Sequence, residues 1–247
     1  MKNKFVLLLI LAFFCIPTFA SIENIENEYT MLMQSATSNS QMNNYTITAS
    51  KAQELEAENI LLQLNKTLTS EQKNVLQQNT KLWNEYTDKL KSSTIQILYN
   101  QLGTIYQSFA VSTIHSNSFT RALTLYYLMK NSTYMQHDSI SNELESCLNS
   151  SKDKTDSCNC YYKEINRYKT IMSKEVKLTS SKVNTDEYNK ILSTHTSWEN
   201  YLNHTRKELF KIIDSINPHD KELKKAEILL RIYQTRYSEL SGINFIN

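Results

Sequence analysis

A chain of 247 residues with only two glycines and two prolines has little material for tight turns. Glycine supplies positive φ and proline pre-sets the first turn residue, so sheet proteins of this length use many of both. Pro17 lies in an N-terminal apolar stretch, which leaves Gly103, Gly242 and Pro218 to punctuate all the rest. Long helices with few connections are the solution open to such a chain, and the expected fold class is all-α.

The first twenty residues have the organisation of a secretory signal peptide. Lys2 and Lys4 give a positive start, Phe5 to Phe14 is apolar throughout, Pro17 breaks the run, and Ala20 offers the small residue before cleavage. The run is too short to span a bilayer as a helix. Phe13 and Phe14 ahead of Cys15 argue against a lipid-modified cysteine. A periplasmic or secreted protein with no stable membrane anchor after signal cleavage is expected. Lys+Arg number 27 and Asp+Glu 25, so losing Lys2 and Lys4 brings the formal charge to zero. Neutrality without a basic block argues against nucleic acid as a partner.

Residues 21–49 are polar and Ser/Asn-rich, which reads as a mobile start holding one loose helix. A helix is expected over 50–66, with Ser50 as its N-cap and Leu55, Ile60, Leu61 and Leu64 along one side. Thr69-Ser70-Glu71-Gln72 has capping-box form and opens a helix whose Leu76, Trp83, Leu90 and Ile97 recur every seven residues. Gly103 can end it, and another helix is expected over about 118–130. Residues 131–155, rich in Ser, Asn and Asp and carrying Cys147, read as a linker with one helical turn near 140–148. The pattern then restarts over 156–243. A helix runs from Asp156 to about Val176, and Asn184-Thr185-Asp186-Glu187 forms a second capping box. Behind that box an apolar face containing Trp198 is closed by Pro218. Asp220 caps a last helix, which Gly242 ends.

The two halves resemble each other. Trp83/Tyr86 and Trp198/Tyr201 are both W-x-x-Y pairs, and Leu76 and Ile191 each precede the Trp by seven residues. The expected architecture is therefore two related three- to four-helix units packed as helical bundles, over 50–130 and 156–243. The same residues resemble the exported lysozyme inhibitor LprI-like N-terminal domain family, which includes YecT-like proteins, in two divergent tandem copies. Asn39-Ser40-Gln41-Met42-Asn43-Asn44 is similar to that family's start, so the resemblance begins near residue 39. Leu68 to Gln72 resembles its Leu-Thr-x-x-Gln turn, and Trp83 with Tyr86 its aromatic pair. Leu102-Gly103-Thr104-Ile105 resembles its Gly-Ser-Ile element, and Phe119-Thr120-Arg121 its late arginine. In the second half Thr155 to Cys158, Trp198 with Tyr201, and Arg236 fit the same order. The family's usual four cysteines per domain are incomplete here, with Tyr45, His115 and Arg206 where cysteines would stand.

Cys147, Cys158 and Cys160 are the cysteines beyond the leader. In an oxidising compartment Cys147 pairs with Cys158 or Cys160, and the odd thiol is free to join two chains in a disulfide-linked dimer. A three-thiolate metal site completed by His137 is the weaker alternative, because export favours oxidation. The five histidines show no metal spacing, and no nucleophile–base motif or phosphate loop is present, so neither catalysis nor a cofactor is expected. His195, one turn before Trp198, reads as a packing residue, and both tryptophans read as core. The resemblance implies a protein partner, a lysozyme-type muramidase, inhibited by occlusion of its active site. The competing expectation is a structural or self-associating envelope or surface module.

Overall fold

The computed structural model describes residues 21–129, 141–216 and 220–246. Among these there is no strand, and eight helices pack around one continuous core. They are α1 (Ile22–Ser35), α2 (Asn39–Thr67), α3, α4 (Thr104–Met129), α5 (Asn142–Asn149), α6 (Lys154–Thr179), α7 and α8 (Lys221–Asn244). Helix α3 runs through Ser70–Leu90, a π turn at Lys91–Ile95, and Gln96–Asn100. Helix α7 has the same plan: Thr185–His204, a π turn at Thr205–Leu209, and Phe210–Ile216. The all-α expectation holds, with two related four-helix units, α1–α4 and α5–α8.

The relation between the units is a constant offset of 115 residues. Helices α2 and α6 are capped by Ser38 and Asp153, and α3 and α7 by capping boxes at Thr69/Gln72 and Asn184/Glu187. Helices α4 and α8 end at Met129 and Asn244. Trp83/Trp198, Tyr86/Tyr201 and Arg121/Arg236 keep the same spacing. Within a unit the first long helix lies parallel to the last. Asn43, Gln53 and Glu54 of α2 meet Ser108, His115 and Ser118 of α4 in turn, and Lys154, Tyr161 and Glu175 of α6 meet Asp220, Glu227 and Asn244 of α8. The units join where α3 packs antiparallel on α7 and α4 antiparallel on α8. Gln72 donates to Ser215 at one end of the first pair, and Ser93 and Thr194 share a hydrogen bond (2.8 Å) towards the other. Thr120 and Thr235, themselves related by the offset, hydrogen-bond to each other at 2.8 Å. That bond and the stacked rings of Tyr86 and Tyr201 mark an approximate two-fold axis through the molecule.

Several boundaries differ from the sequence expectation. The segment 21–49 is two helical pieces. Ser21 and Ser38 cap α1 and α2, while Ser50 is buried mid-helix and donates to the Thr46 carbonyl. Its short polar side chain serves as well inside a helix, bonded back one turn, as at a cap. Helix α4 begins fourteen residues before the expected 118, because Gly103, at φ 122°, redirects the chain at once into a new helix. Asp220 occupies the N-cap position of α8 without a side-chain cap bond and is paired with Lys154 instead. Gly242 lies inside α8, where a Cβ would meet Leu98 and Phe109 at 3.6–3.7 Å. Of the expected linker 131–155, residues 142–149 and 154–155 are helical. The expected leader 1–20 and residues 130–140, which include His137, lie outside the described residues.

Cys147 of α5 is bonded to Cys160 of α6, and Cys158 is the free thiol, half-buried. The two bonded positions correspond by offset to Leu32 and Tyr45, so the bridge clips α5 to α6 where the first unit joins α1 to α2 by packing. Because the short helix α5 brings little apolar surface, the covalent link carries its attachment. With 13 residues separating the two cysteines, loop closure contributes about 3 kcal/mol. The double variant Cys147→Ser/Cys160→Ser is therefore expected to lose that amount in urea unfolding, with a lower midpoint. A midpoint unchanged from the parent would show that packing alone holds α5.

Candidate functional site

The W-x-x-Y pairs and late arginines converge on the axis. In each unit the Trp and Tyr lie three apart, on one face of α3 or α7, and the arginine projects from the middle of α4 or α8. Trp83 packs edge-on against Tyr86 and against Tyr201 of the other unit, with ring centroids 5.6 and 5.1 Å apart. Trp198 packs edge-on against Tyr233 and is stacked by His195. All four aromatic residues are buried; Trp83, Tyr86 and Tyr201 join the two units, Trp198 packs within its own, and Trp83 also borders a cleft. His195 has the packing place expected of it. Burial and the neighbouring Arg236 lower its pKa to about 4, so it is neutral at pH 7 and accepts from Arg236 Nε at 3.4 Å.

The arginines divide the polar work unequally. Arg236, 0% exposed, pairs with the equally buried Glu239 one turn on, Nη1 to Oε2 at 2.7 Å. The other Glu239 oxygen accepts from the Tyr86 hydroxyl and from Asn117 Nδ2 (2.7 Å), both from the first unit. Burial, then the Glu239 charge, holds Tyr86 well above its ordinary pKa, so it remains a donor. Arg121, 4% exposed, has no such carboxylate. Its Nη1 donates to Asn79 Oδ1 and its Nη2 to Thr80 Oγ1, each at 2.7 Å, and its guanidinium carbon lies 5.8 Å from the Trp83 ring centre. The Tyr201 hydroxyl stands beside it without a hydrogen bond of good geometry.

Two clefts flank this axis. The larger, about 420 Å³, straddles the α4–α8 seam, with Thr120 and Thr235 in its floor and Tyr29, His115, Phe119 and Arg231 in its walls. There His115 stacks on Tyr29, while Gln53 bridges His115 and Glu26. The smaller, about 290 Å³, lies between α2, α3 and α4 and has Arg121, Trp83 and Asn117 inside and Glu54 and Glu58 among its outer residues. A third polar cluster, outside both clefts, is built on Glu227, which accepts from Tyr127 and, at 3.2 Å, from Tyr161. Burial raises its carboxyl to about 7 in spite of those bonds.

Among the described residues no group of three or more His, Cys, Asp or Glu side chains is arranged to hold a metal ion. No described helix is long and apolar enough to cross a membrane. Of the exposed apolar side chains, Met31, Met42, Leu55, Leu62, Tyr162 and Leu178 are distributed along α1, α2 and α6, while Tyr99, Leu102, Ile105 and Phe245 lie at one end of the bundle. Leu102 is 95% exposed, on the turn that Gly103 makes, and Tyr99, Ile105 and Phe245 are exposed around it. Tyr106 reaches the Phe245 carbonyl (3.4 Å), and Phe109 stacks on the Phe245 ring, which places the C-terminal residues of α8 at this same end. Sequence order alone gives no signal for this tip, because exposure is decided by where α3 and α4 part.

No family model matches the chain, and no curated protein matches it. Among solved structures, an uncharacterized protein from Burkholderia thailandensis has a similar crystal structure, with a TM-score of 0.54 and 11% sequence identity over 86% of this chain and 96% of that one. That likeness is one of fold, and the shared class is an all-α bundle.

Trp83 touches both units, so Trp83→Ala should destabilise by about 3–5 kcal/mol. Equal melting temperatures for variant and parent would contradict its place in the core. Glu227 supplies a pH signature. An acid whose folded pKa lies above its unfolded value gives stability that is present below the unfolded pKa of about 4.5 and lost as pH rises towards 7. Glu227→Gln removes that loss, so relative to the parent it should gain on the order of 2 kcal/mol between pH 5 and pH 8. A difference that does not change with pH would show that Glu227 ionises without cost.

Proposed function

We propose that the chain is an exported, non-catalytic helical binding protein, and that it occludes the active-site cleft of a lysozyme-type muramidase with the tip at Leu102. The observation that supports it is the tip itself. A leucine almost wholly in water on a positive-φ turn, ringed by Tyr99, Ile105 and Phe245, is a costly surface for a protein to leave open. Muramidase clefts set their catalytic carboxylates beside apolar walls, which such a projection suits. The tip falls within Leu102 to Ile105, one of the elements that resembles the inhibitor family. Export itself is supported by the 1–20 leader pattern and is in keeping with the Cys147–Cys160 disulfide. A neutral mature charge implies contact by shape and apolar burial, with little long-range steering.

Titrating purified residues 21–247, made under oxidising conditions, into a lysozyme cell-wall lysis assay tests the proposal. Saturable inhibition near one-to-one stoichiometry is expected, weakened at least tenfold by Leu102→Asp with an unchanged melting temperature. No inhibition at micromolar protein with helical circular dichroism intact would reject the inhibitor assignment. A concentration-dependent mass in the same preparation would then support a self-associating module, joined through the tip or through Cys158.

A further inference from the structure

The repeat makes Arg121 readable by comparison with its own counterpart. Arg236 is neutralised by Glu239, and the residue in that register of the first unit is Thr124, whose hydroxyl donates back to the Thr120 carbonyl. Arg121 is thus a buried guanidinium that donates to the neutral acceptors Asn79 and Thr80 and has the Tyr201 hydroxyl beside it, with no carboxylate in ion-pair distance among the described residues. A buried charge without a counter-charge is costly, and a carboxylate that reaches it is bound strongly and in fixed geometry. Arg121 is also open to the 290 Å³ cleft, whereas Arg236 borders neither cleft. The Trp83 ring forms an apolar wall beside the guanidinium. Asn117 has a buried Oδ1 without a hydrogen-bond partner, while its Nδ2 donates to Glu239 and to the Thr113 carbonyl. Among the lining residues are two exposed carboxylates one turn apart on α2, Glu54, which accepts from Ser118 Oγ at 3.1 Å, and Glu58, with the exposed Lys91 of α3.

We propose that this cleft binds a small α-amino acid, with its carboxylate on Arg121, its ammonium towards Glu54, Glu58 and the Asn117 carbonyl oxygen, and its side chain along Trp83. The arrangement has a cation inside and, among the exposed lining residues, two carboxylates against the single ammonium of Lys91, a net negative entrance that suits a zwitterion better than a simple anion. Cleft and tip are separate, so this site is independent of the muramidase reading.

Saturation-transfer NMR on the mature protein with an equimolar mixture of the twenty common amino acids is the first experiment, followed by calorimetry on those that respond. At least one amino acid is expected to bind, with acetate and the N-acetylated form of the same amino acid at least tenfold weaker. The exposed double variant Glu54→Gln/Glu58→Gln should weaken binding about tenfold with no change in melting temperature. Thr124→Glu, which puts a carboxylate in the register of Glu239, should abolish binding by supplying the missing partner from within. No response from any amino acid would overturn the proposal, as would acetate binding as tightly, or undiminished binding by the Glu54/Glu58 variant. If Thr124→Glu does not fold, the exposed variant and the acetate comparison still decide.

Discussion

The ion pair between Arg236 and Glu239 organises the centre of this protein. It lies on one helix of the second unit, but its remaining hydrogen bonds come from Tyr86 and Asn117 of the first. Neither partner is exposed, so the carboxylate depends on donors that only the assembled pair of units can deliver. A buried ion pair seldom adds net stability over apolar packing of the same volume, and its use lies more in selecting one arrangement. Sliding α8 by one turn along α4 would strip Glu239 of Asn117, and rotating α3 would remove Tyr86. Either error leaves the ion pair intact on α8 but strips its outer carboxylate oxygen of a hydrogen bond in a dry core. The apolar contacts of Trp83, Trp198 and Tyr201 supply the driving force, and the charge pair fixes the register in which they act.

Around that centre the two units keep a spacing of 115 residues from Ser38 to Asn244, so their differences stand out against a common frame. The π turns of α3 and α7 fall within one residue of the offset. Each delivers a hydroxyl, Ser93 or Thr205, to position 194 or its counterpart 79 on the opposite helix. A π turn costs backbone hydrogen-bond geometry, and its recurrence in both units fits a need to aim those hydroxyls across the seam. The differences cluster elsewhere: a disulfide against Leu32 and Tyr45, His115 against Leu230, Thr124 against Glu239. The first unit supplies His115 to the larger cleft and Arg121 to the smaller, while the second supplies Arg231 to the larger and pairs its own Arg236 internally with Glu239. The second unit thus neutralises its central arginine from within, and the first leaves Arg121 in search of a partner.

What the sequence disclosed follows from the range of each signal. The capping boxes at Thr69 and Asn184, the W-x-x-Y faces and the turn at Gly103 are local chemistry, and each falls where its residues place it. The extent of α2 was hidden because Asn39 to Asn44 has the composition of a loop. Its helix is stabilised by partners distant in sequence, such as Ser108 against Asn43, and not by its own propensity. The choice of Cys160 over Cys158 depends on which face of α6 meets α5, a matter of packing. Arg121 and Arg236 could be paired by spacing but not told apart, since the deciding residues, Thr124 and Glu239, have no local signature.

That last distinction bears on how the fold and its binding chemistry are connected. Two arginines in equivalent places would each need a carboxylate, and the chain provides one. If both were internally neutralised the protein would be a closed bundle with only its surface to offer. Leaving Arg121 with neutral acceptors forfeits part of the stability that a second pair's hydrogen bonds would secure, and burial already disfavours its charged form. The unit can tolerate this because Trp83, Asn79 and Thr80 hold the guanidinium in place and a cleft keeps it in reach of solvent. The same register that closes the second unit therefore leaves the first one open, and the opening is a consequence of a single position, 124, in an otherwise repeated design.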